Sequence, residues 1–450
     1  MMEELYQLYL NSTGVCTDTR TIKQGCIYFA LKGANFNGNA FAQEALSKGA
    51  AYAVIDEKAY QTSDRMLLVP DVLTTLQQLA THHRSTLQTL VIGITGSNGK
   101  TTTKELIRSV LAQQLKVVAT QGNLNNNIGV PLTLLTLTPD TDIAIVEMGA
   151  NHPGEIAFLC NIAQPDYGYI TSIGKAHLEG FGSLEGVIKT KGELYDYLKA
   201  HNKTIIANAQ NPITEQLLAG YDKVYRFGTT QEVNVPVSCL ATQPVQIQFS
   251  DSATRITEEA GGEPIPFLKE TFEEFDTTTV ATSHLVGSYN FTNIAAAVAF
   301  ARYFKLPAAA IKRGIESYIP QNNRSELKTW GSNTLLLDAY NANPSSMAAA
   351  IDNMLTMPHY KHKVLILGDM FELGDYAATE HQHIADEVAK HQWAGVYFIG
   401  KQFAQVKTTY PQYPSLEEFL PVFKAINFKD SLILIKGSRG MKLEQLIIEN

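Results

Sequence analysis

Leu90-Val-Ile-Gly-Ile-Thr95-Gly96-Ser97-Asn98-Gly99-Lys100-Thr101-Thr102 is the stretch on which the reading of the fold turns. Its first half is a short aliphatic run typical of a buried strand, and a helical pattern begins at Lys100. Between them, glycines let the backbone turn with its N–H groups facing inward, around a phosphate-sized space at a helix N-terminus. Lys100 offers a point charge to terminal phosphates, and the Thr101 hydroxyl can bind Mg²⁺. Gly96, Ser97, Asn98, Gly99, Lys100, Thr101 and Thr102 are therefore expected to bind a nucleoside triphosphate. The stretch departs from the GxxxxGK[ST] pattern by one residue, with five residues between Gly93 and Gly99. Spacing alone thus leaves open a glycine-rich turn with an incidental lysine.

Working outward, Lys116-Val-Val-Ala and the run Ile143 to Val146 continue the rhythm of a doubly wound sheet, which collects ligands at the carboxyl ends of its strands. Asp142-Ile-Ala-Ile-Val-Glu147 delivers Glu147 to such an end, like a Walker B strand with glutamate in place of aspartate. A carboxylate there is by itself more often a solvated or capping group; beside a P-loop it becomes a candidate Mg²⁺ ligand. His177, in Gly174-Lys-Ala-His177-Leu-Glu-Gly-Phe-Gly182, follows the strand-like Tyr167-Gly-Tyr-Ile-Thr-Ser-Ile and falls at the same sheet edge. A lone histidine is more often structural, and Lys191 in Thr190-Lys-Gly-Glu-Leu reads by default as a solvated helical lysine. The NKxD motif of GTPases is absent, Asn202-Lys203-Thr-Ile being a near miss, and so is the protein-kinase set HRDxxxxN and DFG. What remains is an ATPase, or an enzyme that phosphorylates one group and then joins it to another.

The 450 residues predict about three domains. Residues 1–88 alternate short apolar runs with helical segments, including an amphipathic helix from Asp71 to Thr86. Residues 89–319 form the central unit. Within it, Asn234 to Leu285 is expected as a β-rich elaboration with a polar, glycine-containing stretch near Glu258 to Glu263, followed by helices from Thr292 to Tyr303 and Ala308 to Tyr318. After a boundary at Ile319-Pro-Gln-Asn-Asn, residues 320–450 read as a Rossmann-like domain. Its strands are Thr334-Leu-Leu-Leu-Asp-Ala, Lys363-Val-Leu-Ile-Leu-Gly, Gly395-Val-Tyr-Phe-Ile-Gly and Ser431-Leu-Ile-Leu-Ile-Lys-Gly, with helical runs starting near Pro344, Ala377, Lys401 and Met441.

A net charge of -8 and the lack of a basic tract argue against nucleic acid as a partner. Four scattered cysteines outline neither a disulfide framework nor a zinc site and fit a reducing cytoplasm. The acidic start and the absence of a long apolar run predict no secretory leader and no membrane span.

Taken together, the chain resembles the Mur ligases, ATP-dependent enzymes that add amino acids to the UDP-muramoyl peptide of peptidoglycan. The resemblance runs through Gly93 to Thr103, Asn123-Leu-Asn-Asn-Asn-Ile-Gly-Val-Pro131, Glu147-Met-Gly-Ala and Ala176-His-Leu-Glu. In the first domain it is carried by Thr17-Asp18-Thr19-Arg20 and Gly25-Cys-Ile-Tyr-Phe-Ala-Leu-Lys-Gly33. Asp338-Ala-Tyr-Asn-Ala-Asn-Pro-Ser-Ser-Met347, Gly368-Asp-Met-Phe-Glu-Leu-Gly374 and Lys436-Gly-Ser-Arg439 resemble the member that joins D-alanyl-D-alanine to a UDP-N-acetylmuramoyl tripeptide. The Asp-Asn-Pro-Arg signature of the diaminopimelate- or lysine-adding member is absent.

The resemblance implies an α/β protein of three domains, ATP and Mg²⁺, an acyl-phosphate intermediate, and action as a monomer. It assigns catalysis to Lys100, Glu147, His177 and Lys191, with Thr101, Glu147, His177 and a carbamylated Lys191 on the metal. ATP contacts extend to Asn290, Arg324 and Asp338. Substrate contacts fall on Thr17, Asp18, Thr19, Arg20, Asn123, Asn126, Lys436 and Arg439. Asn37-Gly38-Asn39 stands where Asp-Gly-His is usual, Gln210 where an aspartate is common, and Ser288-Tyr289-Asn290 where His-Asn is frequent. Two alternatives stay open at this point: a related ligase such as folylpolyglutamate synthase, expected to lack the uridine-binding first domain, and a non-catalytic nucleotide-binding scaffold.

Overall fold

A computed structural model describes residues 2–250, 277–320, 324–357 and 359–448. The polar stretch expected near Glu258 to Glu263 and residues 321–323 of the expected boundary lie outside the described residues. The chain forms three α/β domains, each built on its own sheet.

The first sheet is all parallel, in the order Val15–Cys16, Ile27–Phe29, Tyr52–Ile55, Met66–Leu68. Val72–Thr86 covers it, started by Asp71, whose carboxylate accepts from Thr74 N at 2.7 Å.

The central sheet has nine strands. Leu90–Thr95 lies between Ile143–Glu147 and Tyr167–Ile170, all parallel. Alternate side chains of this strand enter different cores: Val91 joins Val146, Leu194 and Leu198, whereas Ile92 and Ile94 join Leu106, Ile107 and Phe300. Burial on both faces explains the unbroken aliphatic run. The chain leaves Leu90–Thr95 toward Val117–Ala119 on one side and later returns to Tyr167–Ile170 on the other, so its carboxyl end is a topological switch point. At the far edge, Val235–Thr242, Val245–Ser250 and Thr278–Thr282 pair antiparallel, the expected β-rich elaboration.

In the last domain, five parallel strands are joined by Glu326–Trp330, an antiparallel edge strand that the sequence rhythm did not reveal. The helix expected near Lys401 is also absent: a single turn, Phe403–Gln405, stands there, and the helix comes later, at Leu416–Ala425. Thr408, Thr409, Pro411 and Pro414 oppose helix after Lys401, and Ser415 supplies the delayed N-cap by accepting from Glu418 N. Near Met441 the expected helical run is a short turn, Arg439–Met441, followed by Gln445–Ile448. Among the described residues, no helix is long and apolar enough to cross a membrane.

Leu184–Ala200 carries Lys191 and packs where two neighbouring strands are glycine: a Cβ on Gly93 would stand 3.1 Å from Leu194 Cδ1, and one on Gly168 would stand 3.3 Å from it. Leu194 is fully buried. Leu194→Ala should therefore destabilise the central domain by about 2–5 kcal/mol, as for other buried leucine truncations, measured as a lowered midpoint in urea unfolding.

Candidate active site

The glycine stretch closes as a P-loop at the switch point. Gly96 has φ 145° and Gly99 φ 81°, both left-handed, and a Cβ on Gly96 would meet Thr171 Oγ1 at 2.1 Å. The adjacent strand end pins the loop: Ser97 N donates to Ser172 O at 2.8 Å, Asn98 N to Ser172 Oγ at 2.9 Å, and Thr171 Oγ1 to Asn98 O at 2.6 Å. Lys100 folds back over the loop, its ammonium donating to Gly96 O at 2.6 Å and Ser97 O at 3.3 Å. Burial pushes its pKa below the usual lysine value, opposed by the charge of Glu147.

Glu147 is 2% exposed and aims its carboxylate at the helix start. Thr101 Oγ1 donates to its Oε2 at 3.0 Å, Asn125 Nδ2 to its Oε1 at 2.9 Å, and Lys104 Nζ stands 3.6 Å from Oε2. Asn125 and Lys104 were not singled out from the sequence. Lys104 was findable, since it lies one helical turn after Lys100; Asn125 sits unmarked within the quoted asparagine run.

His177 has left-handed backbone (φ 51°) and precedes the single-turn helix Leu178–Phe181. Its Nδ1 is buried and lies 2.6 Å from Glu372 Oε2, in an alignment that misses a good hydrogen bond. Lys191 overturns its default reading as a solvated lysine: it is 1% exposed. It shares the inner stripe of its helix with Val187, Leu194 and Leu198. Its ammonium has Ala150 O at 3.4 Å and the Phe181 ring at 5.2 Å. Burial, reinforced by the charge of Lys100, pushes its pKa down to about 7.

Lys100, Thr101, Glu147 and His177 line one cleft of about 1240 Å³, together with Asn123, Asn126, Asn290, Arg324, Asp338 and Lys436. Asn126 Oδ1 caps the next turn by accepting from Ile128 N and Gly129 N. Asn290 is tied to Val286 O and Asn293. Arg324 Cζ lies over the Tyr340 ring, 3.5 Å from its centroid, and Arg439 Cζ approaches the same ring at 5.1 Å. Tyr340 was quoted within a motif but given no role. Lys436 pairs with Asp338 at 2.6 Å.

Thr17, Asp18, Thr19, Arg20, Lys191 and Arg439 do not line this cleft. Asp18 accepts from Arg20 at 2.6 Å, which holds its carboxyl down at about 2, and Thr19 O accepts from Lys48. Asn39, at a position of departure from the family pattern, is buried and braces its own loop by donating to Asp56 Oδ1 at 2.8 Å and accepting from Asp56 N at 3.0 Å.

The donors fit Mg²⁺. Thr101 Oγ1 and Glu147 Oε2 are neighbouring hard oxygens, and Mg²⁺ is usually held by one or two carboxylates plus phosphate oxygens and water. Among the described residues no group of three His, Cys, Asp or Glu side chains is placed to hold a metal ion, so the ion would draw the rest of its shell from the nucleotide.

The glycine loop at the switch point of a parallel sheet, facing a cleft lined by two domains, defines a P-loop α/β protein. The Mur ligase middle domain matches residues 94–301, the Mur ligase glutamate ligase domain matches residues 323–439, and the Mur ligase family catalytic domain matches residues 11–84. UDP-N-acetylmuramoyl-tripeptide–D-alanyl-D-alanine ligase of Bacillus subtilis is 34% identical over 96% of this chain and 92% of the relative. The chain belongs to the Mur ligase family. MurF from Acinetobacter baumannii superposes with TM-score 0.83 at 27% identity, covering 100% of this chain and 98% of that one. MurF from Thermotoga maritima in complex with ADP gives 0.81 at 25% identity, covering 98% and 97%.

Lys100→Ala removes the cation that the loop carbonyls hold in place. It should lower kcat by at least ~10²-fold, the scale for losing a preorganised charge at developing negative charge. Circular dichroism should stay unchanged.

Proposed function

We propose that this chain is an ATP-dependent ligase that joins D-alanyl-D-alanine to the terminal carboxylate of a UDP-N-acetylmuramoyl tripeptide, giving ADP, phosphate and the UDP-muramoyl pentapeptide of peptidoglycan synthesis. The observation that carries the reading is the Lys100, Thr101 and Glu147 constellation, which shares one cleft with Asp338 and Lys436 of the last domain. The reaction class needs a phosphate-gripping loop on one wall and a second, movable wall. Full-length similarity to ligases of this name supports the choice of substrates.

The chemical difficulty is bringing two anions together. A terminal carboxylate oxygen of the tripeptide attacks the γ-phosphorus, ADP leaves, and an acyl phosphate forms. The amine of D-alanyl-D-alanine then attacks the acyl carbon, gives up a proton, and the tetrahedral intermediate expels phosphate. Lys100 offsets the charge on the transferring phosphoryl group. Thr101 and Glu147 are the residues that would hold one Mg²⁺, and His177 with a carbamylated Lys191 those that would hold a second; the ions would supply neutralisation of phosphate charge.

Arg324 and Tyr340 offer a flat cationic surface to the nucleotide, with Asn290 and Asp338 at the same site. Thr17 to Arg20, in residues 1–88, hold the uridine end. Residues 89–319 bind ATP, with Asn123 and Asn126 toward the tripeptide. Residues 320–450 receive the dipeptide near Lys436 and Arg439. The two walls of the cleft come from one chain, which supports action as a monomer. ATP and a UDP-linked precursor as substrates support a cytoplasmic site of action. Closure of the last domain would exclude water that hydrolyses the acyl phosphate.

Phosphate release should require ATP, tripeptide and D-alanyl-D-alanine together. ATP hydrolysis indifferent to both peptides would overturn the ligase reading.

A cationic lysine would repel Mg²⁺, whereas carbamylation by CO₂ takes the group from +1 to -1 and needs a neutral amine. With the Lys191 pKa near 7, the neutral fraction rises as pH climbs through 7. CO₂-dependent stimulation of activity should appear above that pH and fade below it. Lys191→Ala should abolish the stimulation and most activity, and small carboxylic acids at high concentration should restore part of the activity. Full activity in Lys191→Ala would return this residue to a packing role.

A further inference from the structure

The segment that follows the strand His362–Gly368 crosses from the last domain to the central one. It docks on the turn that carries His177 through three contacts. Glu179 N donates to Glu372 O at 3.2 Å, the Tyr376 hydroxyl donates to Gly182 O at 2.9 Å, and Gly374 lies so close that a Cβ would stand 3.2 Å from Glu179 Cα. Glu372 itself has left-handed backbone, φ 62°, a conformation that non-glycine residues seldom adopt. The result is that Glu372 Oε2 comes within 2.6 Å of His177 Nδ1, a buried ring nitrogen with no aligned hydrogen-bond partner.

We propose that Glu372 is a positioning residue for His177, supplied by the last domain. The inference rests on the reading of His177 as a metal ligand. A neutral imidazole has one N–H and one lone pair. A carboxylate beside Nδ1 keeps the proton there, leaves the lone pair on Nε2, and makes that nitrogen a better donor to a cation. Histidines that bind metals are commonly oriented in this way. Here the orienting carboxylate belongs to another domain, so the histidine is set for the cation only while the last domain is docked. By linkage, a cation on His177 favours docking by the same factor. Phosphate charge would thus be neutralised most strongly in the arrangement that also excludes water.

The test uses the full-length chain with a non-hydrolysable ATP analogue and Mn²⁺ as the probe, titrated by electron paramagnetic resonance, with the Mg²⁺ dependence of phosphate release measured in parallel. Glu372→Ala should weaken Mn²⁺ binding by about 10–100-fold, the scale for losing such an orienting partner. It should also move half-maximal activity to higher Mg²⁺ while the melting temperature stays near that of the parent. Glu372→Gln, which keeps an acceptor oxygen without the charge, should recover part of the loss. Tyr376→Phe removes a docking contact of the same segment without touching His177, and should weaken Mn²⁺ binding clearly less than Glu372→Ala does. Unchanged affinity in Glu372→Ala, or an equal loss in Tyr376→Phe, overturns the inference. His177→Ala separates the levels. If it leaves Mn²⁺ affinity unchanged, the ligand role of His177 fails and the inference falls with it. If His177→Ala weakens binding and Glu372→Ala does not, only the inference falls.

Discussion

Ile94 pairs with Glu147 in the parallel ladder between Leu90–Thr95 and Ile143–Glu147, and the rest of the site depends on that register. Just beyond the pair, Met148 N donates to Ile94 O at 2.8 Å and Thr95 Oγ1 to Met148 O at 2.8 Å, so the ladder continues to the point where the glycine loop departs. On the other side, Thr120 Oγ1 accepts from Glu147 N at 3.0 Å. The carboxylate therefore leaves the strand in a fixed direction, toward Thr101 and Asn125. A slip of one residue would turn Glu147 to the opposite face of the sheet and put Val146 beside the loop. An aliphatic run buried on both faces sets little hydrophobic penalty on such a slip, so the register is held by shape and polar bonding: Gly93 has to face Leu194, and Thr95 has to reach Met148 O.

Around that carboxylate the chain buries several cations, and they differ in how they are compensated. Lys104, fully buried, donates to Thr120 O and stands 3.3 Å from Glu105 and 3.6 Å from Glu147. Lys436 pairs with Asp338 and also reaches Asn341 O at 3.2 Å. Lys100 has loop carbonyls rather than a paired acid, and Lys191 has one distant carbonyl and an aromatic ring. Taking an ion out of water without a partner costs several kcal/mol, and a lysine escapes that cost by losing its proton. Burial lowers the pKa of Lys100 and of Lys191, both of which have only partial compensation. The first is suited to a phosphate anion, the second to covalent conversion into an anion.

Local order carried much of this site into the sequence. The loop from Gly96 to Thr102 is contiguous, and Glu147 ends an apolar strand, so both could be read from strand–turn–helix rhythm. Lys191 could not be separated from a surface lysine by residue type, although its spacing from Val187, Leu194 and Leu198 already put it on the buried stripe. The helix misplaced at Lys401 reflects competition between an apolar pattern and two prolines farther on, which only the cap at Ser415 resolves. Glu372 and Tyr340 depend on contacts between segments far apart in the chain. No periodicity encodes which turn of one domain a loop of another will meet.

The face between the central and last domains is largely polar near the nucleotide loop. Asn98 and Asn343 exchange amide hydrogen bonds at 2.8 and 3.4 Å, Lys175 N donates to Ser345 Oγ at 3.0 Å, and Lys175 pairs with Glu380 at 2.6 Å. Each neutral bond contributes about 0.5–1.5 kcal/mol net, and a half-exposed ion pair about 0–1. Asn353, 2% exposed, packs at the same face, where a Cβ on Gly287 would come within 3.0 Å of its Cγ. Water can replace the polar contacts on separation. These polar contacts are individually modest, so groups that bridge the two walls can add a comparable share: a ligand held in the cleft that Lys100 and Arg324 both line, and the carboxylate that the last domain lays against His177.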